Sequence, residues 1–227
     1  MAATNPNNSV RGFSLFELII AMAITLTVMS FATGLVASAL HIRTRENQKS
    51  DALADAQRAL NIMSREVADS GFNLNTNGIV AAESNGSRLR IRSDLNKYDY
   101  TASAQSRDNI QDPGEDVTYF INVAANTKYL ARHDVYGTGN TVLANRLDSF
   151  NIHYFGQRVT YTTTAGADDI SNASAAEVSP DQAKYIVIAV SVTLDQVGTP
   201  GSPGYQPAFS VLLCSDVTLR NANLPTY

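Results

Sequence analysis

The sequence of 227 residues contains a single cysteine, Cys214. With no second thiol in the chain, an intrachain disulfide is excluded. A lone thiol is more often a small core residue than a nucleophile. The sequence therefore assigns Cys214 no catalytic role and leaves its role open.

Residues that carry enzymatic chemistry are also sparse. The three histidines, His41, His133 and His153, lie far apart and show no metal-ligand spacing. The sequence has no phosphate-binding loop, dinucleotide fingerprint, nucleophile elbow or zinc pattern. We therefore predict a protein that is not an enzyme, with no catalytic residues, no cofactor and no metal site.

Charged residues make up only 17% of the chain, and the net charge is -4. A dedicated nucleic-acid binder would carry a basic surplus, so the composition argues against nucleic acid as a partner. Abundant Asn, Ser, Thr and Ala with few charges are typical of an exported protein with a weakly charged surface.

A long helix is predicted at the N-terminus. Residues 18–40 carry no formal charge, and about 23 residues suffice to span roughly 30 Å of hydrocarbon as a helix. No proline occurs between Val10 and Ile110. Beyond Arg43 the sequence becomes polar but keeps an apolar stripe with helical spacing. The stripe consists of Leu53, Ala56, Leu60, Met63 and Val67. We predict one helix from about Ser14 to Ser70, with Gly71 as its C-cap.

After Gly71 the apolar residues alternate, which indicates antiparallel strands with one buried face. The alternating sets are Leu89 and Ile91; Val117, Tyr119, Ile121 and Val123; Phe150, Ile152 and Tyr154; Ile186 to Leu194; and Phe209, Val211, Leu213, Val217 and Leu219. Segments rich in turn residues, 94–116, 164–183 and 198–207, separate them. The predicted fold is α+β, with the long helix packed on an antiparallel sheet.

The N-terminal residues resemble the type IV prepilin signature. A polar leader (residues 1–12) ends in Gly12, F-S-L-F-E follows at Phe13–Glu17, and then comes the apolar run. Type IV pilins and type II secretion pseudopilins share the predicted architecture. The resemblance implies a leader at 1–12, a helix at 13–70 with its transmembrane part at about 18–40, and a β-rich periplasmic or extracellular domain at 71–227.

The resemblance also implies roles for individual residues. A prepilin peptidase would cut between Gly12 and Phe13 and methylate the new amine of Phe13. Glu17 would pair with the N-terminal amine of a neighbouring subunit, since acidic residues within membrane spans tend to be paired and functional. Gly34 stands near the place where many pilins have a proline, so we expect a soft spot in the helix; small-residue packing between membrane helices is an equal alternative.

Further segments narrow the family. Ala56–Phe72, Leu143–Phe155 and Thr218–Asn221 resemble PilW-like minor pilins, which are similar to J-type minor pseudopilins. The implied function is a structural subunit involved in pilus assembly or priming. Its implied partners are other major and minor pilins, prepilin peptidase, the inner-membrane assembly platform and membrane lipid before assembly. It would start in the inner membrane, with a periplasmic domain, and end in the fimbrium at the cell surface.

Other interpretations remain open. A minor pseudopilin of a type II secretion system fits the same residues. Ala37-Ser38-Ala39 resembles a signal-peptidase site, as in a secreted or membrane-anchored binding protein with a conventional signal, although the run before it is longer than usual. Arg43, Arg45 and Lys49 follow the span, so the positive-inside rule alone favours the reverse orientation.

For two sets of charged residues, acidic groups in loops and a stripe of arginines, we expect a structural role. We expect the acidic groups Asp112/Glu115/Asp116 and Asp168/Asp169 to be solvated turns, because neither has the spacing of a calcium loop. We expect the stripe Arg88/Arg90/Arg92 to be the solvent face of a strand. Its alternative role is contact with DNA or an acidic partner.

Overall fold

A computed structural model describes residues 13–96, 112–124, 127–137, 139–145, 147–164, 166–202 and 204–222. One long helix, α1, precedes seven antiparallel strands, which confirms the predicted α+β arrangement. The bounds are α1 Leu15–Ala68, β1 Arg88–Arg92, β2 Asp116–Ala124, β3 Thr127–Asp134, β4 Gly139–Asn145, β5 Ser149–Phe155, β6 Tyr185–Leu194 and β7 Phe209–Thr218. By its contacts the chain divides into two compact units.

The first unit contains the N-terminal part of α1, up to Arg45, together with Val197–Gln206 from the connection between β6 and β7. Helix α1 passes through Gly34 without a break. Its 54 residues correspond to a length of about 81 Å at the usual rise per residue.

The second unit contains the rest of α1, from Glu46, and all seven strands. The strands form two sheets, with the orders β1-β2-β3-β4 and β5-β6-β7. Every neighbouring pair is antiparallel. Within each sheet consecutive strands are therefore neighbours, and each sheet is a simple meander.

One hydrophobic core joins α1 to both sheets. Ala56, Leu60, Met63 and Val67 of the predicted stripe are buried in it. Leu53 is only half-buried. The other α1 residues in this core have small side chains, Ala52 and Ala59. Small residues let the strands approach the helix axis closely, which a stripe of large residues would prevent.

The predicted alternation describes β1, β5 and the inner face of β6, where each inward-facing apolar residue is buried. At two strand ends, however, a residue that the alternation predicts to be buried is exposed. Val123 is 61% exposed near the tip of the β2–β3 hairpin. Phe209, the first residue of β7, is 47% exposed, and the Lys49 ammonium lies 5.1 Å from its ring centroid. Alternation shows which way a side chain points, but it does not show how far the core extends.

The outer face of β6 is buried as well. Tyr185 and Val187 form a second cluster with Phe155 and Val159. Tyr161, Ile170 and Ala175 pack against this cluster. Part of the segment predicted as a separating loop, 164–183, therefore covers the second sheet.

Polar side chains fix α1 to each sheet. Glu66 accepts hydrogen bonds from the hydroxyl of Tyr119 on β2 and from Arg132 on β3, the latter at 3.0 Å. Burial, together with the Glu66 carboxylate, raises the pKa of Tyr119 well above its ordinary value. On the other side, the hydroxyls of Ser64 and Ser215 share a hydrogen bond of 2.6 Å. Both contacts lie within two turns of the end of α1.

Just after α1, the backbone at Gly71 and Gly78 passes close to the backbone of Arg92. Gly71, the predicted C-cap, has φ 77°, and its N–H donates to the Arg92 carbonyl at 2.9 Å. Gly78 has φ 78°, and its carbonyl accepts from the Arg92 N–H at 2.7 Å. A Cβ on Gly78 would lie 2.1 Å from the Gly71 nitrogen and 2.3 Å from the Arg92 carbonyl oxygen. Only glycine fits at this crossing.

Replacing Gly78 with alanine should therefore lower the free energy of unfolding by about 3 kcal/mol or more, because a left-handed φ and a backbone clash add together. Gly166→Ala is the matched control, since Gly166 has φ 80° but an added Cβ would meet nothing within 4 Å. That variant should lose only about 1 kcal/mol. Urea unfolding of the detergent-solubilised chain, followed by circular dichroism, measures both. Equal losses of unfolding free energy in the two variants would contradict the close backbone contact at Gly78.

Candidate assembly site

The N-terminal part of α1 has apolar side chains on all its faces, and the structure leaves them uncovered. Phe13 is 83% exposed. The other large exposed residues of this part are Leu15, Phe16, Leu18, Ile19, Ile20, Met22, Ile24, Leu26, Val28, Met29, Phe31, Leu35, Val36, Leu40 and Ile42. A monomeric soluble protein rarely exposes an apolar surface of this extent, which marks an interface with lipid or protein. Among the described residues, α1 is the one helix long and apolar enough to cross a membrane.

The threonines inside the apolar run do not need water. The hydroxyls of Thr25, Thr27 and Thr33 each donate to the carbonyl four residues earlier, at 2.7, 2.9 and 2.7 Å. In hydrocarbon every polar group must find its partner within the protein. This half of α1 is therefore suited to an apolar surrounding in spite of its hydroxyl groups.

The processing motif lies at the start of this surface. Gly12 falls outside the described residues, and Phe13 is the first residue described. Glu17 is exposed in the first turn of α1, where the unpaired N–H groups of a helix favour a carboxylate. Phe13 precedes the first residue of α1 by two positions, and Glu17 lies within its first turn. The site thus combines an N-terminal segment, an acidic group and an apolar surface.

Gly34 does not interrupt α1, and an added Cβ would meet nothing within 4 Å. The isolated chain therefore does not need glycine there for a close contact. The soft spot at Gly34 stays a prediction about a helix in membrane or filament.

The expectation for the arginine stripe is wrong for Arg90, whose side chain is only 15% exposed. Asp116, which is 1% exposed, accepts two hydrogen bonds from Arg90, at 2.7 and 2.8 Å, and one from Arg92 at 2.9 Å. Glu83 pairs with Arg88 and Arg90. Each of the three arginines is thus paired within the chain, by two carboxylates in all, so the stripe is not a free basic surface.

The expectation of a solvated turn at Asp112/Glu115/Asp116 is also wrong, because Glu115 and Asp116 are buried. The Glu115 carboxylate accepts the backbone N–H groups of Leu95 and Asp112, at 2.9 and 3.0 Å. The Glu115 side chain thereby links Leu95 to Asp112. In the part of the chain that the structure describes, no three His, Cys, Asp or Glu side chains are arranged to hold a metal ion.

His153 has a structural role that its position in the sequence did not reveal. Its Nε2 lies 2.7 Å from Asp169 and its Nδ1 lies 2.7 Å from Glu177, both in the segment that covers the second sheet. Burial alone would lower the pKa of His153, but the two carboxylates outweigh burial and raise it. The imidazolium form therefore helps to hold the covering segment in place.

Cys214 is half-buried in β7. Burial, followed by the nearby Asp216 carboxylate, raises the pKa of its thiol to about 11. The thiolate is the reactive form of cysteine, so this thiol is chemically quiet at neutral pH.

Comparison with known protein families identifies the N-terminal segment. The model of the prokaryotic N-terminal methylation motif matches residues 7–33. This match supports a type IV pilin-like protein and indicates a substrate of prepilin peptidase, either a pilin or a pseudopilin. It also favours a structural, non-enzymatic protein that is anchored in the membrane as a precursor. No curated protein and no solved structure gives a significant match to the chain.

The Asp116 cluster generates a stability prediction. Burial alone would raise the pKa of Asp116, but the hydrogen bonds and charges of Arg90 and Arg92 hold it below its usual value of 3.8. Asp116→Asn should lower the free energy of unfolding by about 3 kcal/mol at neutral pH, since it leaves arginine charges uncompensated. Because the folded pKa is the lower one, this stabilisation is present above about pH 4 and is lost as the pH falls through the folded pKa.

Urea titrations of the wild type and of Asp116→Asn at neutral and acid pH measure this difference. Asp51→Asn, a change at an exposed position on α1, is the control and should be nearly neutral. A loss for Asp116→Asn that is small at neutral pH, or that grows on acidification, would contradict the ion-pair assignment.

Proposed function

We propose that the chain is a PilW-like minor pilin, a structural subunit of a type IV pilus that takes part in pilus assembly or priming. The main support for this proposal is that the two halves of α1 differ. Its N-terminal half bears the methylation motif and an uncovered apolar surface, whereas its C-terminal half is buried in the core of a sheet domain. One half is free for assembly while the other holds the domain.

Processing begins, in this proposal, when prepilin peptidase cuts between Gly12 and Phe13 and methylates the amine of Phe13. The leader is residues 1–12, the helical part is 13–70, and the β-rich domain is 71–227. Residues 18–40 anchor the precursor in the inner membrane, with the domain on the periplasmic side. The subunit then joins other major and minor pilins through the assembly platform and reaches the cell surface.

Glu17 gives the assembly step its specificity. A charged side chain near the centre of a bilayer costs about 2.5–3.5 kcal/mol, and one near the interface costs less. Burial in a filament would raise that cost, and the methylated amine of a neighbouring subunit would offset it. The pair would form only at one axial offset between subunits, so it would set the register of the helices.

Two alternatives differ in what they predict for the cell. A minor pseudopilin of a type II secretion system would use the same helix and the same processing, but it would be required for secretion and absent from surface pili. A secreted or membrane-anchored binding protein with a conventional signal would be cut after Ala39. The continuity of α1 from Leu15 to Ala68 speaks against that cut, which would divide the helix.

Glu17→Gln tests the proposal in the cell that makes the protein. The variant should insert and be cleaved normally, because glutamine is uncharged and similar in shape. Its amount in sheared pili, relative to the membrane pool, should fall about tenfold or more, since 1.4 kcal/mol of lost pairing already gives a factor of ten. Quantitative immunoblotting of both fractions measures the ratio.

Asp51→Asn, which changes an exposed acid farther along α1, should be incorporated like the wild type. Normal incorporation of Glu17→Gln would refute the pairing role of Glu17. Absence of the wild-type chain from pili, together with a secretion defect on deletion, would favour the pseudopilin alternative.

A further inference from the structure

The connection between β6 and β7 lies against α1. We call Val197–Gln206 the β6–β7 loop; Val197 and Gln206 close it with two backbone hydrogen bonds of 2.9 Å. Gly204 has φ 83°, and a Cβ there would lie 2.8 Å from the Cα of Ser38. The backbones of loop and helix therefore meet at Ser38 more closely than a side chain at position 204 would permit.

This contact occurs at one end of the apolar run. Ser38 lies two residues before the end of the uncharged stretch 18–40, and Arg43 is the next charged residue. At 1.5 Å per residue, Ser38 is about 3 Å from the end of the stretch and about 8 Å from Arg43. If residues 18–40 cross the hydrocarbon, Gly204 must lie at the level of the lipid headgroups.

The chemistry of the loop suits that depth. No residue from Gln196 to Ser215 carries a charge. The loop contains the hydroxyl residues Thr199, Ser202 and Tyr205, and the Ser202 hydroxyl donates to the Thr199 carbonyl at 2.6 Å. Tyrosine is enriched at membrane interfaces because its ring is apolar and its hydroxyl polar. An uncharged loop escapes the desolvation cost that ionised groups would have at the hydrocarbon edge of the interface. On α1, Arg43 and Lys49 follow the span, where cations attract anionic lipid.

We propose that the β6–β7 loop is a lipid-contacting element, which lies in the interfacial layer of the bilayer next to Ser38 while the subunit is a membrane precursor. The proposal rests on the membrane anchoring contained in the proposed function. It adds a second membrane contact, made by the sheet domain's own chain. Extraction of the subunit into a filament then has to remove the loop from lipid as well as the helix.

The sequence has no tryptophan, so a single introduced tryptophan is a clean reporter. Tyr205→Trp, in the full chain in vesicles of phosphatidylcholine and phosphatidylglycerol, should be quenched at least about twofold more by spin-labelled lipid with a shallow label than with a deep one, as expected for an interfacial aromatic. Vesicles of the same two lipids without a spin label give the unquenched reference for each variant. Ser202→Trp is a second loop reporter, with the same expectation as Tyr205→Trp.

Met29→Trp separates failure of this proposal from failure of the membrane anchor. Its tryptophan lies at the centre of the stretch 18–40 and should be quenched by the deep label. If it is quenched while both loop reporters stay at their unquenched reference, the loop proposal is overturned and the anchor stands. If Met29→Trp is not quenched by either lipid, the anchor fails and the loop proposal falls with it.

A matched glycine pair tests the role of the contact with Ser38. Gly201 and Gly204 have φ 86° and 83°, but an added Cβ at Gly201 meets nothing within 4 Å. In the Tyr205→Trp background, Gly204→Ala should reduce the shallow quenching at least about twofold, whereas Gly201→Ala, which carries only the strain of its φ, should retain it. Retention of full quenching in both variants would overturn docking at Ser38 as the cause of the loop's position.

Discussion

The structure depends on the continuity of one helix that passes between two surroundings. Up to Leu40 the large apolar side chains of α1 are exposed. From Ala52 onward only one stripe is apolar, and it is buried by strands. The same hydrogen-bonded helix runs through both halves.

The domain half of α1 is secured by more than apolar burial. Glu66 is bound from the first sheet by Tyr119 and Arg132, and Ser64 is bound from the second sheet by Ser215. At the helix end, the Arg220 N–H donates to the carbonyl of Ala68 at 3.1 Å, and the Asn221 side chain donates to the carbonyl of Ser70 at 3.0 Å. These contacts satisfy carbonyls that a helix end leaves unpaired, and they attach the last strand's continuation to α1.

Local patterns predicted the helix, its end near Gly71 and most of the buried strand residues, because these features depend on side-chain periodicity and backbone preference. The predictions failed where distant residues meet. Arg90 and Asp116 are 26 positions apart, and their pairing arises only from the β1–β2 register. The cover over the second sheet follows from His153 binding Asp169 and Glu177, which no periodicity encodes. Glu17 could be selected from sequence as a chemical anomaly, but the partner that we propose for it belongs to another molecule.

The central claim is that the uncovered half of α1 is an assembly surface created by prepilin processing. The most direct measurement is the intact mass and N-terminal sequence of the mature chain from the cell membrane. The account predicts a chain that begins at Phe13 with one methyl group on its amine. A chain that begins at Leu40, or that still begins at Met1, would contradict it.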